Sequence, residues 1–199
     1  MYKIVLPNSI SYILPFAFYN CEQLKDINLP EGIKYINHDT FKFCKALQSV
    51  ILPSTLVSIN EYAFSCCYNL KSITIPKGVT GIDKDAFSNC KSLQNIYSYI
   101  EEPFFITQNV FECSEYDIYN NAKLYVPKGK KETYRYTPSW HLFKNIYELE
   151  TNSVNSLEYY SEEIKDRIHT LEGKEQKGVK KGVNIIRYKN GKTQKIIFR

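Results

Sequence analysis

Hydrophobic and polar positions along this chain repeat with a period of 23 residues. Four copies of the unit cover residues 6–28, 29–51, 52–74 and 75–97. Five columns keep the spacing: a proline column (Pro7, Pro30, Pro53, Pro76), a phenylalanine column (Phe18, Phe41, Phe64, Phe87), a cysteine column (Cys21, Cys44, Cys67, Cys90), a leucine column (Leu24, Leu47, Leu70, Leu93) and an aliphatic column (Ile27, Val50, Ile73, Ile96). Such self-similarity predicts a solenoid, because each unit buries its apolar face only against its neighbours.

Three short elements are predicted in each unit. The residues around the aliphatic column alternate between apolar and polar, as in Ile73-Thr74-Ile75, which predicts a short half-buried strand. Proline follows directly after this stretch and ends the strand, because it has no N–H to donate. A second extended stretch is expected at the fifth to eighth positions. The Ala-Phe-x-x-Cys-x-x-Leu stretch has apolar spacings of three, which predicts one helical or 3₁₀ turn on the outer side.

The phrases LPEGIKYINHDTFKFCKALQSVILP and IPKGVTGIDKDAFSNCKSLQNI resemble the BspA-like, treponemal-type leucine-rich repeats. The resemblance covers residues 4 to about 148. It implies a β-rich leucine-rich-repeat solenoid, wound as a right-handed superhelix of short strands and short helical turns. It also implies a surface or secreted protein that adheres to host or neighbouring-cell proteins. The family has no catalytic motif that could be transferred to this chain.

The end of the repeat predicts a closing cap. After Ile96 the register loosens, and Leu124-Tyr125-Val126-Pro127 repeats the strand-plus-proline phrase 28 residues later. We expect residues 98–148 to form the cap of a solenoid domain that spans residues 1–148. Its predicted parts are a short helix that ends before Pro138, a lid of Trp140 and Phe143, and a last strand at 145–149. A Trp-lined ligand pocket is the functional alternative to a lid.

Residues 149–199 predict a small C-terminal all-β module. Within GVNIIRYKNGKTQKIIFR, Asn190-Gly191 favours a two-residue type I′ turn between two strands. That register places Val183 and Ile185 on one face with Ile196 and Phe198, and Ile186, Tyr188 and Ile197 on the other. Further strands are expected at 156–160 and 164–171. The closing phrase resembles the end of the C-terminal tails on proteins that Bacteroidetes-like bacteria export by type IX secretion.

The first residues lie in mid-repeat, since Ile4 occupies the aliphatic column. A solenoid needs a polar cap at its end, which leaves two explanations open. The chain is a piece of a longer protein, or its first coil pairs with another copy. Light scattering separates them, because a strict monomer excludes the pairing.

Positive charge is concentrated at the C-terminus. Residues 174–199 hold nine Lys or Arg and one Glu, whereas the preceding residues are slightly acidic. A basic end is typical of proteins that bind nucleic acid or acidic lipid, and also of a solvated module used for export or attachment. The chain carries no recognised nucleic-acid motif, so we expect the second role and no nucleic-acid partner.

The six cysteines predict buried thiols and not disulfides. Cys113 extends the cysteine column, so five side chains are expected to form one inward ladder in which they point the same way. Cys66 lies off this ladder and is expected to be partly exposed. No CxxC or CxxH spacing exists, and the three histidines lie in unrelated contexts, so no metal site and no cofactor are predicted.

The outward positions of the predicted strands are the candidate binding residues. They are mostly short and polar, with Ile51 and Tyr97 as anchors: Asp26, Asn28, Ser49, Ile51, Ser72, Thr74, Asn95 and Tyr97. The pattern fits a non-enzymatic adhesion module at the cell surface or secreted, which holds a host or neighbouring-cell protein on its sheet. A structural spacer that displays an attached domain is the alternative, and a solvated face without a partner is compatible with it. The sequence predicts no catalytic site and no transmembrane segment.

Overall fold

The chain divides into two compact units, residues 1–149 and 150–199. The structure is a computed structural model. It describes residues 2–149 and, in the second unit, four strands only.

Ten short strands form in residues 2–149. They are β1 (Tyr2–Val5), β2 (Leu24–Asn28), β3 (Tyr35–Ile36), β4 (Ser49–Ile51), β5 (Ser58–Ile59), β6 (Ser72–Ile75), β7 (Gly81–Ile82), β8 (Asn95–Ser98), β9 (Lys123–Val126) and β10 (Asn145–Glu148). The strands at the aliphatic column pair in parallel in two groups, β1-β2-β4 and β6-β8-β9-β10. The two-residue strands form a second parallel sheet, β3-β5-β7. The second, third and fourth coils therefore each supply one strand to each side, which confirms the predicted solenoid of short strands.

One continuous row of phenylalanine rings runs through the core. The rings of Phe18, Phe41, Phe64 and Phe87 are stacked, with centroids 5.1, 5.1 and 5.3 Å apart. Phe111 of the cap extends the row at 5.3 Å. Phe18 is half-buried, because no ring precedes it within residues 2–149, and the other four are fully buried. The predicted shared spine of the coils is thus confirmed.

The helical turn predicted in each repeat is wrong. A series of tight turns takes its place and forms what we call the turn arc, residues 15–22, 38–45, 61–68 and 84–91. Two residues in each arc have left-handed backbone, with φ between 55° and 61°: Phe16 and Asn20, Asp39 and Phe43, Tyr62 and Cys66, Asp85 and Asn89.

Left-handed residues let the turn arc bond to the next coil. In the third coil, the N–H of Ser65 donates within its own turn to Tyr62 O at 3.0 Å. The N–H groups of Phe64 and Cys66 instead donate to Ala86 O and Ser88 O of the following coil, both at 2.8 Å. A helix would direct all of these donors along its own axis and leave the carbonyls of the neighbouring coil without backbone partners.

The cysteine ladder consists of free thiols. The Sγ atoms of Cys44, Cys67 and Cys90 donate to the carbonyl oxygens of Phe18, Phe41 and Phe64, at 3.1, 3.2 and 3.2 Å. Burial raises the pKa of the Cys44 thiol from 9.0 to about 12. These thiols therefore act as small apolar fillers with one hydrogen bond each.

The expected partial exposure of Cys66 is wrong. Only 8% of this residue is accessible, because its left-handed turn brings the side chain to within 3.6 Å of the Ser65 hydroxyl.

The segment after β8 contains all the helices of residues 2–149. They are 3₁₀ helices at Gln108–Phe111 and Trp140–Leu142, and the α-helices α1 (Ile118–Asn121) and α2 (Lys131–Tyr136). Helix α2 ends before Pro138, and β10 forms the last strand, as predicted. Trp140 is fully buried, and its indole N–H donates to Phe104 O at 2.9 Å. Its ring contacts Phe111 and Tyr134, with centroids 6.1 and 5.2 Å away, so Trp140 closes the core and lines no ligand pocket.

The second unit contains the strands β11 (Ile168–His169), β12 (Glu175–Gln176), β13 (Gly182–Arg187) and β14 (Thr193–Phe198). They are antiparallel, in the order β12-β11-β13-β14. Strand β11 falls inside the stretch 164–171 that the sequence predicts to be extended. The other predicted strand, at 156–160, lies outside the described residues, and the all-β character of the module stays a prediction.

The predicted register of the C-terminal hairpin is wrong by one residue. Val183 pairs with Ile197, and Ile185 pairs with Lys195, not with Phe198 and Ile196. The pairing of Arg187 with Thr193 leaves an odd number of residues between them, whereas a two-residue turn requires an even number. Tyr188 and the Asn190-Gly191 pair lie outside the described residues.

Candidate functional site

The outward side chains of the two parallel groups β1-β2-β4 and β6-β8-β9-β10 form two columns. We call these columns, together with the bordering row of Lys25, Gln48, Lys71 and Gln94, the sheet face. The strand registers within each group, and the 23-residue spacing between β4 and β6, align one column of Lys3, Asp26, Ser49, Ser72, Asn95, Lys123 and Asn145, and a second of Val5, Asn28, Ile51, Thr74, Tyr97, Tyr125 and Tyr147. They alternate with buried residues such as Ile27 and Ile96, because successive side chains of a strand point to opposite sides. Every residue of the sheet face is exposed or half-buried.

All eight residues predicted as binding residues lie on this face. The registers place them opposite one another in pairs: Asp26 and Ser49, Asn28 and Ile51, Ser72 and Asn95, Thr74 and Tyr97. The Ser49 hydroxyl donates to the Asp26 carboxylate at 2.7 Å. Their position is therefore as expected, and their part in binding stays a prediction.

Two further tyrosines, Tyr125 and Tyr147, which the sequence reasoning missed, extend the site from Tyr97 into a column of three. The rings of Tyr97 and Tyr125 are stacked, with centroids 4.7 Å apart and planes 10° apart. Tyr147 follows at 5.7 Å and is 45% exposed. A signal was present, because Leu124-Tyr125 and Ile146-Tyr147 repeat the order of Ile96-Tyr97. Because the spacings there are 28 and 22 residues instead of 23, the repeat alone did not align them.

Charges on the turn arc are neutralised by neighbouring side chains. Its four lysines each lie within 3.0 Å of a carboxylate oxygen: Lys42 with Asp39, Lys45 with Glu22, Lys84 with Glu61 and Lys91 with Glu115. Three of the four pairs join different coils. The acidic partner holds the pKa of each of these lysines above its usual value.

Lysines of the sheet face lack such partners. Lys3 and Lys123 lie in the first column, and Lys25 and Lys71 lie in the row that borders it. None of the four forms an ion pair within the part of the chain that the structure describes. Asp26 is the one acidic side chain of the two columns, so the face carries uncompensated positive charge.

A cleft of about 410 Å³ lies beside Phe111, Tyr119 and Leu142 in the cap. Its carboxylates all have partners. Asp117 caps α1 by accepting the N–H of Asn120 at 3.0 Å, Glu115 pairs with Lys91, and Glu112 accepts from Asn109 at 2.8 Å. Among the described residues, no group of three His, Cys, Asp or Glu side chains is placed to hold a metal ion. The three carboxylates of the cleft are thus engaged in contacts with neighbouring residues of the chain.

Three solved structures are similar to this chain. A leucine-rich repeat protein from Bacteroides ovatus is 30% identical over 73% of the chain, with a TM-score of 0.52. The pneumococcal vaccine antigen PcpA is 17% identical over 75%, with a TM-score of 0.56, which shows the fold alone. A leucine-rich cell surface protein from Faecalibacterium prausnitzii is 24% identical over 79%, with a TM-score of 0.48. The chain covers 37%, 42% and 34% of these three proteins, respectively.

No curated protein matches the chain significantly. Among the described residues, no helix has the length and apolar character needed to cross a membrane. The family model for the BspA type leucine-rich repeat region matches residues 1–117, with six copies of the repeat. These residues make up more than half of the chain and include the complete phenylalanine row. The protein therefore belongs to the BspA type leucine-rich repeat family.

Proposed function

We propose that this chain is a non-enzymatic, protein-binding adhesion module that holds a host or neighbouring-cell protein on its sheet face. The observation that carries the proposal is the tyrosine column beside hydrogen-bonding side chains. Tyr97, Tyr125 and Tyr147 offer aromatic surface, and Asn28, Ser72 and other short polar residues offer donors and acceptors around it.

Such a surface has the composition of a binding interface. Partly exposed tyrosines contribute large contact areas for little loss of side-chain freedom, and they are enriched among residues that dominate binding energy. A parallel sheet fixes the backbone that carries them, so a partner meets an ordered surface. Family membership supports the same role, since repeats of this family are found largely on surface or secreted proteins. We accordingly propose that the protein acts at the cell surface or outside the cell.

A spacer that displays another domain is the second function, and the turn arc favours it. Its coil-to-coil hydrogen bonds and the continuous phenylalanine row join neighbouring coils, which suits a spacer whether or not the sheet face binds anything.

Attachment to fixed host cells or neighbouring bacterial cells distinguishes the two functions. The test variant changes Asp26, Ile51, Thr74 and Tyr97 to alanine, and the control variant changes Tyr12 and Tyr35, which are 57% and 44% exposed and lie outside the sheet face. A binding module loses attachment at least tenfold in the test variant and less than twofold in the control. Equal attachment by both variants and the unchanged chain would favour the spacer.

A further inference from the structure

The lysines of the turn arc have acidic partners and those of the sheet face do not, and this difference bears on the charge of a ligand that the sheet face would attract. Each arc lysine has a carboxylate within 3.0 Å, so the arc presents little net charge to a ligand. Lys25, Lys71 and Lys123 have no carboxylate within ion-pair distance among the described residues. A surface of one sign raises the local concentration of ligands of the other sign and speeds their association.

These three lysines are evenly distributed along the solenoid. Stacked phenylalanine rings show that neighbouring coils lie 5.1 to 5.3 Å apart. Lys25 and Lys71 are two coils apart, and Lys71 and Lys123 are separated by the single strand β8. Their backbone positions thus recur about every 10 Å along the stack. A peptide in the extended polyproline II conformation rises ~3.1 Å per residue with three residues per turn, so side chains three residues apart point the same way and lie about 9 Å apart.

The tyrosine column runs next to the lysines in the same direction. On β9, Lys123 and Tyr125 are two residues apart and point to the same side of the sheet. A ligand that follows the stack therefore meets cationic groups on one side and aromatic rings on the other. An extended peptide with both carboxylate and apolar side chains matches this arrangement.

We propose that the sheet face binds an extended acidic segment of a partner protein, with carboxylates about three residues apart over Lys25, Lys71 and Lys123. The inference rests on the proposed function and adds the chemical class of the partner. Single-stranded nucleic acid fits less well, because it carries a charge on every nucleotide and would leave phosphates between the lysines without a partner.

A charge-reversal experiment tests the proposal on the full chain. The probe is a fluorescein-labelled 15-residue peptide with Glu at every third position and Ala and Leu between, and binding is measured by anisotropy. K71E/K123E removes two lysines of the face. K34E/K131E makes the same change in net charge at two exposed or half-buried lysines outside the sheet face, so any binding by the basic C-terminus is equal in both variants.

The dissociation constant is expected to rise at least tenfold in K71E/K123E and less than twofold in K34E/K131E. Carbodiimide cross-linking of the same peptide, mapped by mass spectrometry, should join it to Lys25, Lys71 or Lys123. Equal weakening in both variants, or cross-links confined to lysines of residues 174–199, overturns the proposal. Tighter binding of a 15-residue oligothymidylate than of the peptide, lost in K71E/K123E, overturns it in favour of nucleic acid.

The proposed function fails separately from this inference. Should the alanine variant of the sheet face lose attachment to cells while K71E/K123E attaches normally, the face binds a protein but the acidic class is wrong. Should both variants attach normally, the binding function itself is wrong.

Discussion

The turn arc and the sheet face belong to the same coils but differ in whether their charged side chains have partners within the protein. In the arc, N–H groups of one coil bond to carbonyls of the next, and all four lysines have acidic partners. On the sheet face, the backbone is paired but the lysine side chains are not, and tyrosine rings are partly exposed. The difference teaches that one side of the coil holds the stack together, and the other is available to a partner.

The largest effect is expected in the core that both surfaces share. Phe64 is fully buried between Phe41 and Phe87, so Phe64→Ala should lower the free energy of unfolding by about 3–5 kcal/mol. Urea denaturation followed by circular dichroism measures the loss. Phe18→Ala, at a half-buried ring stacked on one side only, is the control and should cost clearly less. Equal losses would contradict a single continuous row.

A smaller effect is expected at the cap. The hydroxyl of Tyr134 donates to Ile100 O at 2.9 Å and is in contact with the Ser98 hydroxyl, all buried. Tyr134→Phe leaves these groups without that partner and should cost about 1–3 kcal/mol. Tyr136→Phe, at a residue that is 83% exposed, is the matched control. If both changes have the same effect, the buried network contributes nothing to closing the core.

Alkaline pH should weaken the stack through its thiols. Burial raises the pKa of Cys44 to about 12 and that of Cys67 well above 9.0. A thiol with a raised pKa in the folded state stabilises the fold fully below its unfolded pKa, and this stabilisation is lost as pH rises from about 9 towards 12. The urea midpoint should fall over this window, and less steeply in Cys44→Ala. An equal slope in that variant would exclude Cys44 as a cause.

The smallest effect is expected for the ion pairs of the arc. Lys84 and Glu61 are both exposed, so the pair is screened by solvent. Lys84→Ala should leave the urea midpoint unchanged within error, and its attachment to cells should equal that of the unchanged chain. Lost attachment in this variant would place the binding surface on the turn arc and not on the sheet face.

Residues that recur at one spacing were predictable, and residues whose role depends on backbone handedness were not. The phenylalanine row and the outward columns follow from period alone. The arc was mistaken for a helical turn because left-handed positions are usually Gly, Asn or Asp, and half of these positions hold Phe16, Phe43, Tyr62 and Cys66. The same left-handed backbone explains the burial of Cys66. Tyr125 and Tyr147 were not predicted as part of the binding column, because the spacing in the cap departs from 23 residues.

The most direct test of a binding sheet face is a lysine footprint. Reductive methylation is carried out with and without the saturating glutamate peptide, and each lysine is quantified by mass spectrometry. Protection of Lys25, Lys71 and Lys123 is expected, with unchanged modification of Lys34 and Lys84. Protection of Lys34 or Lys84, with the three sheet-face lysines modified as in the free chain, would contradict binding of the peptide at the sheet face.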